Sequence, residues 1–465
     1  MATPEHFEAT IAAIATPPGP GGIGIIRISG PAALSVLQAL FHPRHPATAY
    51  RSHHLSYGRV IAPQSGMVLD EALAVYMRAP HTYTREDVVE LQCHGSFLVL
   101  QEILALILAE PGVRLAAPGE FTKRAFLNGR IDLTQAEAVI ELLQAKSPAG
   151  AQMAAEQLAG GLLRTVTTIR DHLLGVRAIM EVAIDFPDEE VEIIAPADLR
   201  RQLTVGVREP LLELVARAGQ GRLFRDGIAA VILGRPNVGK SSLLNSLLRE
   251  ERAIVTAVPG TTRDTIEEYF TIKGLPVRII DTAGIRETVE TVEELGIRRS
   301  RQKVADADLV LLVVDATAGL TDADRQLLAS VAGKPVVLVI NKCDLVAPEA
   351  VAKARVASAG LPAAAISAKT GEGIKELEAV IFTTVAGAGA WEPGHASVPN
   401  VRHEAALKAA LAATDRVLAG LAAPLSPDLV AVEIQAALDH LGEIVGETTT
   451  EEMLDLIFSR FCIGK

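Results

Sequence analysis

Two residue types and one pattern are scarce in this 465-residue chain, and each scarcity excludes a class of protein. The three cysteines, Cys93, Cys343 and Cys462, are too few and too scattered for a disulfide framework or a zinc site, which fits a reducing compartment. Basic residues are outnumbered, with 44 Lys and Arg against 56 Asp and Glu, so the formal charge is -12. This balance argues against a chain that grips nucleic acid along its whole surface, and any RNA contact needs a local basic patch or a partner.

Long hydrophobic runs are the third scarcity. The most apolar segments, Phe97 to Leu108 and Leu309 to Val314, are interrupted by polar residues or are too short to span a bilayer. We expect no signal peptide and no membrane span, and therefore a cytoplasmic protein. The length predicts about three domains, each with its own core.

A phosphate-binding loop is the clearest feature that the sequence does contain. The stretch Gly234 to Ser241 has the pattern G-x-x-x-x-G-K-[ST], between an apolar run, Ile228 to Leu233, and a helix-like run, Ser242 to Leu248. In such a strand, turn and helix the backbone N–H groups and the helix dipole bind phosphate oxygens. Lys240 would reach the outer phosphates, and the hydroxyl of Ser241 would ligate Mg²⁺.

Four further motifs follow in the order that a GTPase requires: Gly260-Thr261-Thr262-Arg263-Asp264, Asp281-Thr282-Ala283-Gly284, Asn341-Lys342-Cys343-Asp344 and Ser367-Ala368-Lys369. In the motif Gly260 to Asp264, a Thr closes over Mg²⁺ when a γ-phosphate is present. In the motif Asp281 to Gly284, the Asp carboxylate lies near Mg²⁺ and the Gly amide senses the γ-phosphate. The Asp of the third accepts two hydrogen bonds from guanine and so rejects adenine, and the fourth supplies a backbone contact to the base. Five motifs in this order predict a guanine-nucleotide switch on a parallel sheet.

The residue after the second of these motifs is Ile285, where Ras-like enzymes carry the Gln that orients the attacking water. An isoleucine cannot orient water, and positive charge must come from an arginine finger in trans or from a bound cation. Because the Asn237 carboxamide is placed to help coordinate a monovalent cation, our hypothesis is that K⁺ takes the finger's place. The acidic stretch Glu287 to Glu294 offers candidates for the water-orienting carboxylate, although most of it is expected to be a solvated face.

The flanking segments predict two further kinds of domain. Up to about Leu127, short β-like runs mix with helices and indicate an α/β or α+β domain. Its Gly-rich opening, Thr16 to Gly24, precedes a strand and not a helix, so a structural turn is favoured over a dinucleotide fingerprint. Helical periodicity dominates from Asp132 to about Gln220, with apolar residues such as Val139, Leu142 and Leu143 at helical spacing.

The chain becomes helical again after a Gly/Ala/Pro linker, Ala386 to Pro399. Neither helical flank looks sufficient alone to bury its apolar stripes, so we expect one helical domain made of both, with the GTPase domain inserted. The acidic cluster Asp185 to Glu190 is predicted to be a solvated elbow in preference to a metal site. The predicted domains are an N-terminal α/β domain at 1–128, helical parts at 129–224 and 386–465, and an inserted Ras-like P-loop GTPase domain at 225–385.

These features together resemble one family. The Gly-rich opening, the acidic elbow, the phosphate loop and its following motif, Pro118-Gly119-Glu120-Phe121, and the terminal Phe461-Cys462-Ile463-Gly464-Lys465 resemble the MnmE (TrmE) family of tRNA-modification GTPases. The resemblance runs from about Ile11 to Lys465. It implies that the N-terminal domain binds tetrahydrofolate and mediates homodimerisation, that the helical domain is split by the GTPase domain, and that GTPase domains activate each other by dimerising.

The resemblance also implies a substrate and a partner. In that family a heterotetramer with the FAD-containing MnmG installs the aminomethyl or carboxymethylaminomethyl group at C5 of the wobble uridine of certain tRNAs. The one-carbon unit comes from a tetrahydrofolate derivative, the 5-formyl or 5,10-methylene form, and the FAD belongs to the partner alone.

Residue roles carried over from the family divide into four sets. The folate set is Arg27, Glu90, Arg130 and Lys465, with Arg130 at a position that can be Lys in relatives. The Mg²⁺ ligands are Ser241 and Thr262, and the K⁺ ligands are Asn237, Thr256, Val258 and Thr261, with the middle two acting through backbone carbonyls. Glu293 matches the carboxylate thought to orient the hydrolytic water, and it joins Lys240, Thr262 and Gly284 in the catalytic set. The full set predicted to contact GTP or GDP is Asn237, Val238, Gly239, Lys240, Ser241, Ser242, Thr256, Thr261, Thr262, Asp281, Thr282, Ala283, Gly284, Asn341, Lys342, Asp344, Ser367, Ala368 and Lys369.

Cys462 allows two interpretations. A thiol near the C-terminus could attack C6 of a pyrimidine and so activate C5, or it could be a small apolar residue that packs a terminal helix. No base is evident beside it in the sequence, so the second interpretation is favoured.

Two competing functions are disfavoured. A GTPase of ribosome assembly would share the nucleotide motifs, including an Asn at the cation position, but it would attach a basic RNA-binding module, whereas the flanks here are acidic or neutral. A scaffold that uses nucleotide only for stability would not need two γ-phosphate sensors, Thr262 and Gly284.

Overall fold

The computed structural model describes residues 9–45, 50–185, 196–250, 269–280, 305–356, 360–387, 398–423 and 426–465. The chain divides into two compact units. The first unit comprises Met1–Ile140, Gln157–Arg208 and Ala409–Lys465, and the second comprises Glu141–Glu156 and Glu209–Lys408. Both units are therefore assembled from segments that lie far apart in sequence.

A sheet of seven strands, counted over the described residues, forms the N-terminal part of the first unit. The strands are β1 (Thr10–Ile14), β2 (Gly21–Ser29), β3 (Phe41–Pro43), β4 (His54–Ile61), β5 (Val68–Met77), β6 (Val88–Gly95) and β7 (Val113–Leu115). Their order is β3-β4-β5-β6-β2-β1-β7, with β7 parallel to β1 and the other pairs antiparallel. The predicted mixture of strands and helices in this region is confirmed, and because all strand pairs but one are antiparallel, the α+β alternative describes it better.

Two helices, α1 (Ala33–Leu40) and α2 (Phe97–Leu108), cover one face of this sheet. Successive side chains of a strand point to opposite faces, so Ile26 and Ile28 of β2 are fully buried against the helices while Arg27 points to the other face. The register places Arg27 directly opposite Glu90 of β6. An ion pair is thereby positioned on the face opposite α1 and α2.

The helical segments come from both sides of the GTPase motifs, as predicted. They are α3 (Glu120–Leu127), α4 (Leu133–Leu143), α5 (Pro148–Leu158), α6 (Gly161–Asp185), α7 (Pro196–Leu203), a π-helical turn (Thr204–Arg208), α8 (Glu209–Asp226), and, after the second sheet, α13 (Val401–Ala422), α14 (Pro427–Val445) and α15 (Glu451–Phe458). In the first unit α6 packs against α14, and each helix buries an apolar stripe at alternating spacings of four and three residues. Within the described ranges, no helix has both the length and the hydrophobicity to cross a membrane.

The second unit contains a six-stranded sheet, again counted over the described residues. Its strands are β8 (Ile228–Leu233), β9 (Tyr269–Ile272), β10 (Leu275–Ile279), β11 (Leu309–Asp315), β12 (Val336–Asn341) and β13 (Ala363–Ala365), in the order β13-β12-β11-β8-β10-β9. Strand β9 is antiparallel to β10, and the other pairs are parallel. The accompanying helices are α9 (Lys240–Glu250), α10 (Asp322–Ser330), α11 (Pro348–Val356) and α12 (Ile374–Ala386). Ligand sites in such sheets lie at the carboxyl ends of the strands, and the three predicted motifs within the described residues, at 234–241, 341–344 and 367–369, follow the ends of β8, β12 and β13.

Candidate functional site

The phosphate-binding loop joins the end of β8 to the start of α9, so the predicted strand and helix are both present. Gly234, Asn237 and Gly239 have positive φ angles of 151°, 63° and 99°. Glycine adopts such angles readily, and Asn does so more easily than most residues. A Cβ on Gly234 would lie 2.4 Å from the Val313 carbonyl oxygen. Here the loop therefore requires glycine both for its conformation and for space.

The Lys240 ammonium folds back over this loop. Its Nζ donates hydrogen bonds to the carbonyl oxygens of Gly234 and Arg235, each at 2.9 Å. Burial lowers the pKa of Lys240, because a desolvated ammonium is disfavoured. No ion pair to this ammonium occurs within the described ranges, so a phosphate group bound in the loop would supply the missing negative charge.

Asn341 connects the phosphate loop to the Ser367-Ala368-Lys369 motif. Its side chain is buried, its Nδ2 donates to the Val238 carbonyl at 2.8 Å, and its Oδ1 accepts from the Ala368 N–H at 3.0 Å. Ser246 of α9 donates to the Ala368 carbonyl at 3.0 Å. One carboxamide thus fixes the two loops relative to each other, a role that the sequence alone did not reveal.

The residues after Asn341 turn out from the end of β12. Lys342 has a φ of 66°, and its Nζ lies 2.7 Å from Asp315 Oδ2. Burial alone would raise the pKa of Asp315, but hydrogen bonds from Lys342 and Thr317 lower it. Asp344 lies exposed in the 3₁₀ turn Cys343–Leu345, where its carboxylate can accept hydrogen bonds from a base.

The phosphate loop forms an ion pair with Asp324, which was not predicted. Arg235 Nε donates to Asp324 Oδ1 at 3.0 Å. Asp324 is fully buried and forms a capping box with Thr321 at the start of α10. The pattern of Thr321 and Asp324 three residues apart is a known helix-start signal and was available in the sequence. That Asp324 would also pair with Arg235 of the distant phosphate loop could not be predicted from the sequence.

Several predicted residues lie outside the described residues. They include most of the predicted Mg²⁺ and K⁺ ligands and the switch motifs: Thr256, Val258, Thr261, Thr262, Asp281, Thr282, Ala283, Gly284 and Glu293. Ile285 lies outside them as well. The predicted roles of these residues stay predictions, as do those of the described ones.

A second group of predicted residues meets on the face of the first sheet that lies opposite α1 and α2. Arg27 Nε and Glu90 Oε1 are 2.8 Å apart, and their side chains are 20% and 18% exposed. The Arg27 guanidinium lies 5.7 Å from the ring centroid of Phe121 and 6.0 Å from that of Tyr83. The Arg130 guanidinium lies 5.0 Å from the same Tyr83 ring. Tyr83, which the sequence did not single out, therefore stands between two of the predicted folate-binding residues.

The C-terminal segment reaches the same place. Arg27 Nη1 donates to the Gly464 carbonyl at 3.4 Å, and the Gly119 N–H donates to the Cys462 carbonyl at 3.4 Å. Gly464 has a φ of 96°, and a Cβ on it would lie 2.4 Å from the Ile14 carbonyl oxygen. This docking brings the last residue, Lys465, to the group formed by Arg27 and Glu90.

The Cys462 side chain is exposed at the start of this docked tail. No hydrogen bond to its thiol occurs within the described ranges, whereas its backbone carbonyl is bonded to Gly119. The neighbouring Phe461 is buried and lies 5.5 Å from Phe458, ring centroid to centroid. The packing role in this segment therefore belongs to Phe461, and the chemical role of the thiol stays a prediction.

A buried ionic network supports this second site. The Arg124 side chain is 1% exposed and binds both carboxylate oxygens of Glu86 at 3.0 Å, Glu120 Oε1 at 3.0 Å and the Ala9 carbonyl at 2.9 Å. Arg124 lies on α3, which also carries Phe121 and the Thr122 hydroxyl that lies 3.0 Å from the Tyr83 hydroxyl. The network thus fixes the helix whose side chains line the site.

The parallel sheet, its phosphate loop and the loops at the ends of β12 and β13 define a Ras-like P-loop GTPase domain, here joined to a separate α/β domain and a discontinuous helical domain. Two family models match the chain: "MnmE helical domain" matches residues 133–462, and "GTP-binding protein TrmE N-terminus" matches residues 10–130. The chain belongs to the MnmE family of tRNA modification GTPases. The predicted family, fold class and enzyme class are confirmed.

Curated relatives match along the whole chain. The tRNA modification GTPase MnmE of Desulfotalea psychrophila is 51% identical over 469 residues, which covers 100% of both chains. That of Geobacter sulfurreducens is 47% identical over 464 residues and covers 99% of this chain and 100% of its own. A solved structure of Aquifex aeolicus Era bound to GDP and AlF4⁻ is 28% identical, covers 40% of this chain and 66% of its own, and has a TM-score of 0.28. The family assignment rests on the full-length relatives and the family models.

Proposed function

We propose that the protein hydrolyses GTP in a K⁺-dependent reaction and, with the FAD-containing MnmG, forms the 5-aminomethyl or 5-carboxymethylaminomethyl group on the wobble uridine of certain tRNAs. A tetrahydrofolate derivative donates the one-carbon unit. The observation that carries this proposal is the Asn341 carboxamide, which joins the phosphate loop to the 367–369 loop in a member of a tRNA modification GTPase family.

The nucleotide site combines a phosphate end and a base end. Lys240 and the N–H groups at the start of α9 bind the phosphates, and a bound phosphate would offset the desolvation that lowers the pKa of Lys240. Asp344 accepts hydrogen bonds from the guanine edge, and the Ala368 to Lys369 backbone contacts the base. Two residues of the switch segments complete the cycle by sensing the γ-phosphate, namely Thr262 and Gly284.

The cation ligands on the described part of the loop fit hard cations, which prefer oxygen donors. Ser241, in the first turn of α9, offers a hydroxyl for Mg²⁺ together with Thr262. Asn237 offers a carboxamide oxygen for K⁺, together with Thr256, Val258 and Thr261. When bound, K⁺ supplies the positive charge that an arginine finger gives in other GTPases. Glu293 holds the water for hydrolysis, since Ile285 cannot.

The folate site lies in the first unit, around Arg27, Glu90, Arg130 and Lys465. The first two residues present a donor and an acceptor together, which suits a flat heterocycle. For Cys462 the sequence favours a packing role over attack on C6 of the uridine, but its side chain is exposed, and this exposure supports the alternative role as nucleophile.

We further infer a cytoplasmic homodimer that forms a heterotetramer with MnmG and is activated when two GTPase domains meet. The domain boundaries at residues 128, 224 and 385 belong to this proposal. Dimer formation through identical GTPase domains would explain how a chain without the usual catalytic Gln reaches a closed active site.

The K⁺ requirement is tested by GTP turnover of the full-length protein in K⁺ and in Na⁺ buffer of equal ionic strength. Hydrolysis should be at least about tenfold faster in K⁺, which corresponds to about 1.4 kcal/mol in the barrier. The variant Asn237→Ala should lose this difference, whereas Asn245→Ala, an exposed Asn on the adjoining helix, should keep it. Equal turnover in both salts would refute the K⁺ part of the proposal.

A further inference from the structure

A cationic cavity lies beside the proposed folate site, in the first unit. It has a volume of about 450 Å³, and its lining includes His53, His81, Tyr83, Arg85 and Arg130. This volume falls within the range of about 300 to 1,000 Å³ that is typical of small-molecule pockets. The remaining wall is neutral and consists of Met77, Pro80 and Thr82. Two guanidinium groups and two imidazoles therefore face a space whose lining contains no carboxylate.

The two carboxylates that directly follow the lining residue Arg85 in sequence, Glu86 and Asp87, already have partners. Glu86 is held by Arg124 and by the Ser29 hydroxyl. Asp87 accepts hydrogen bonds from the Tyr76 hydroxyl and the Ala79 N–H, both at 2.9 Å. The positive charge of the cavity is thus not compensated from the wall, although the chain as a whole carries a formal charge of -12.

The two guanidinium groups of the cavity are held by neutral partners. Arg85 Nη1 donates to the Asn128 carbonyl at 2.9 Å, and Arg130 lies over the Tyr83 ring. Neither is part of an ion pair within the described ranges. Both can therefore bind an added carboxylate without first breaking an existing salt bridge.

Tyr83 connects the cavity to the proposed folate site, because its ring centroid lies 6.0 Å from the Arg27 guanidinium and 5.0 Å from that of Arg130. The Tyr83 hydroxyl lies 3.0 Å from that of Thr122, which fixes the ring between them. A ligand with its heterocycle at Arg27 and Glu90 would therefore direct its other end toward Arg130 and the cavity.

We propose that this cavity binds the glutamate tail of the folate and selects forms that carry several glutamates. The inference rests on the proposed folate function and adds a specificity to it. Each added glutamate brings one more carboxylate, and each carboxylate should increase the affinity because the charged groups that line the cavity are all positive. An RNA backbone is disfavoured as the occupant because the positive groups line one cavity of about 450 Å³ and do not form an extended stripe.

Calorimetric titration of the full-length protein with 5-formyl-tetrahydrofolate bearing one, three or five glutamates tests this proposal. The triglutamate should bind about fivefold more tightly than the monoglutamate, the gain expected for partly exposed charge pairs. The variants Arg85→Gln and His81→Gln should each reduce the ratio of the two dissociation constants toward one. Arg51→Gln, an exposed arginine outside the lining, should leave the ratio unchanged.

The outcomes separate this inference from the function on which it rests. Equal affinity for all tail lengths would overturn the tail site while the folate function stands, whereas failure of the monoglutamate to bind would overturn the folate function itself. A ratio that persists in both variants, with melting temperatures matching the parent protein, would also overturn the tail site. The tail site would also be overturned if both variants weaken tRNA binding and leave the ratio of dissociation constants unchanged, since the cavity would then bind RNA phosphates.

Discussion

The nucleotide site and the proposed folate site, around Arg27, Glu90, Arg130 and Lys465, differ in how the chain builds them. The phosphate loop is a single run of eight residues, and its shape follows from the positive φ angles of Gly234, Asn237 and Gly239. The proposed folate site is assembled from distant segments: the Arg27 side chain donates a hydrogen bond to the Gly464 carbonyl, although the two residues are 437 positions apart. A site of the first kind appears as a motif in the sequence, whereas a site of the second kind exists only once the chain has folded.

The difference also lies in what a substitution destroys. In the phosphate loop the backbone itself is the binding surface, so an added Cβ removes function directly. In the proposed folate site the side chains would make the contacts to the ligand, and a buried ionic network and a docked tail position them. A substitution in the proposed folate site should therefore lower the stability of the first unit or displace the docked tail, and should leave the nucleotide site intact.

The largest effect is expected for Gly239→Ala. The new Cβ would lie 2.2 Å from the Asn341 Nδ2 atom, and the residue has a φ of 99°, so the Asn341 carboxamide must move. We expect GTP affinity to fall by about a thousandfold or more, equivalent to about 4 kcal/mol, measured by titration of a fluorescent GTP analogue. Gly219→Ala is the matched control, because a Cβ there meets open space on α8. Affinity within threefold of the parent protein would contradict the account.

The second largest effect should come from Arg124→Met in the buried network of the first unit. Two carboxylates, Glu86 and Glu120, would lose a buried cation, and the expected loss of stability is about 3 kcal/mol. Urea unfolding followed by circular dichroism measures it, with GTP binding assayed in parallel and expected to persist. Lys123→Ala, which breaks the exposed pair with Asp455, should cost less than about 1 kcal/mol. Similar losses in the two variants would show that the network does not behave as a buried one.

A smaller effect is expected for Gly464→Ala in the docked tail. The added Cβ would clash with the Ile14 carbonyl oxygen and displace Lys465 from the proposed folate site. Folate affinity should fall about tenfold in calorimetry, while GTP turnover stays at the parental rate. Ile463→Ala serves as the control, since that side chain is half exposed. If folate affinity were unchanged in Gly464→Ala, the tail would not be part of the site.

The smallest effect concerns acid sensitivity. Burial alone would raise the pKa of the Glu120 carboxyl, but hydrogen bonds from Arg114, the Ala117 N–H and Arg124 lower it below its ordinary value. A lowered folded-state pKa stabilises the fold above the unfolded value, about 4.3, and this stabilisation is lost as the pH falls through the folded value. Glu120→Gln should therefore reduce the drop in Tm between pH 6 and pH 3 by about 2 °C. An unaltered drop would remove Glu120 from the acid-sensitive groups.

The sequence predicted the nucleotide site better than its surroundings. The strand Ile228–Leu233 is present with the predicted bounds, and the helix after it begins at Lys240. The links of Asn341 to Val238 and of Arg235 to Asp324 were not predictable, because each joins residues that are distant in sequence and have no local pattern in common. Long-range partners of this kind become visible only with the tertiary structure.

Helical periodicity gave the right elements but not all of their details. Leu142 and Leu143 fall at helical spacing, yet they are 37% and 55% exposed, because they occupy the last turn of α4. The π-helical turn Thr204–Arg208 lies in a region for which only helical periodicity was predicted, without this irregular turn. For Arg27, Glu90, Arg130 and Lys465 only the family resemblance indicated a common site, and Tyr83 at its centre carried no sequence signal.

The most direct test of the proposed function is reconstituted modification of a substrate tRNA by the full-length protein, its FAD-containing partner, GTP, K⁺ and a tetrahydrofolate. Modified wobble uridine is quantified by mass spectrometry with each component left out in turn and with GTP replaced by a non-hydrolysable analogue. We expect product only in the complete mixture. Modification at the full rate without folate, or with the non-hydrolysable analogue, would contradict the claim that GTP hydrolysis and a folate serve one reaction.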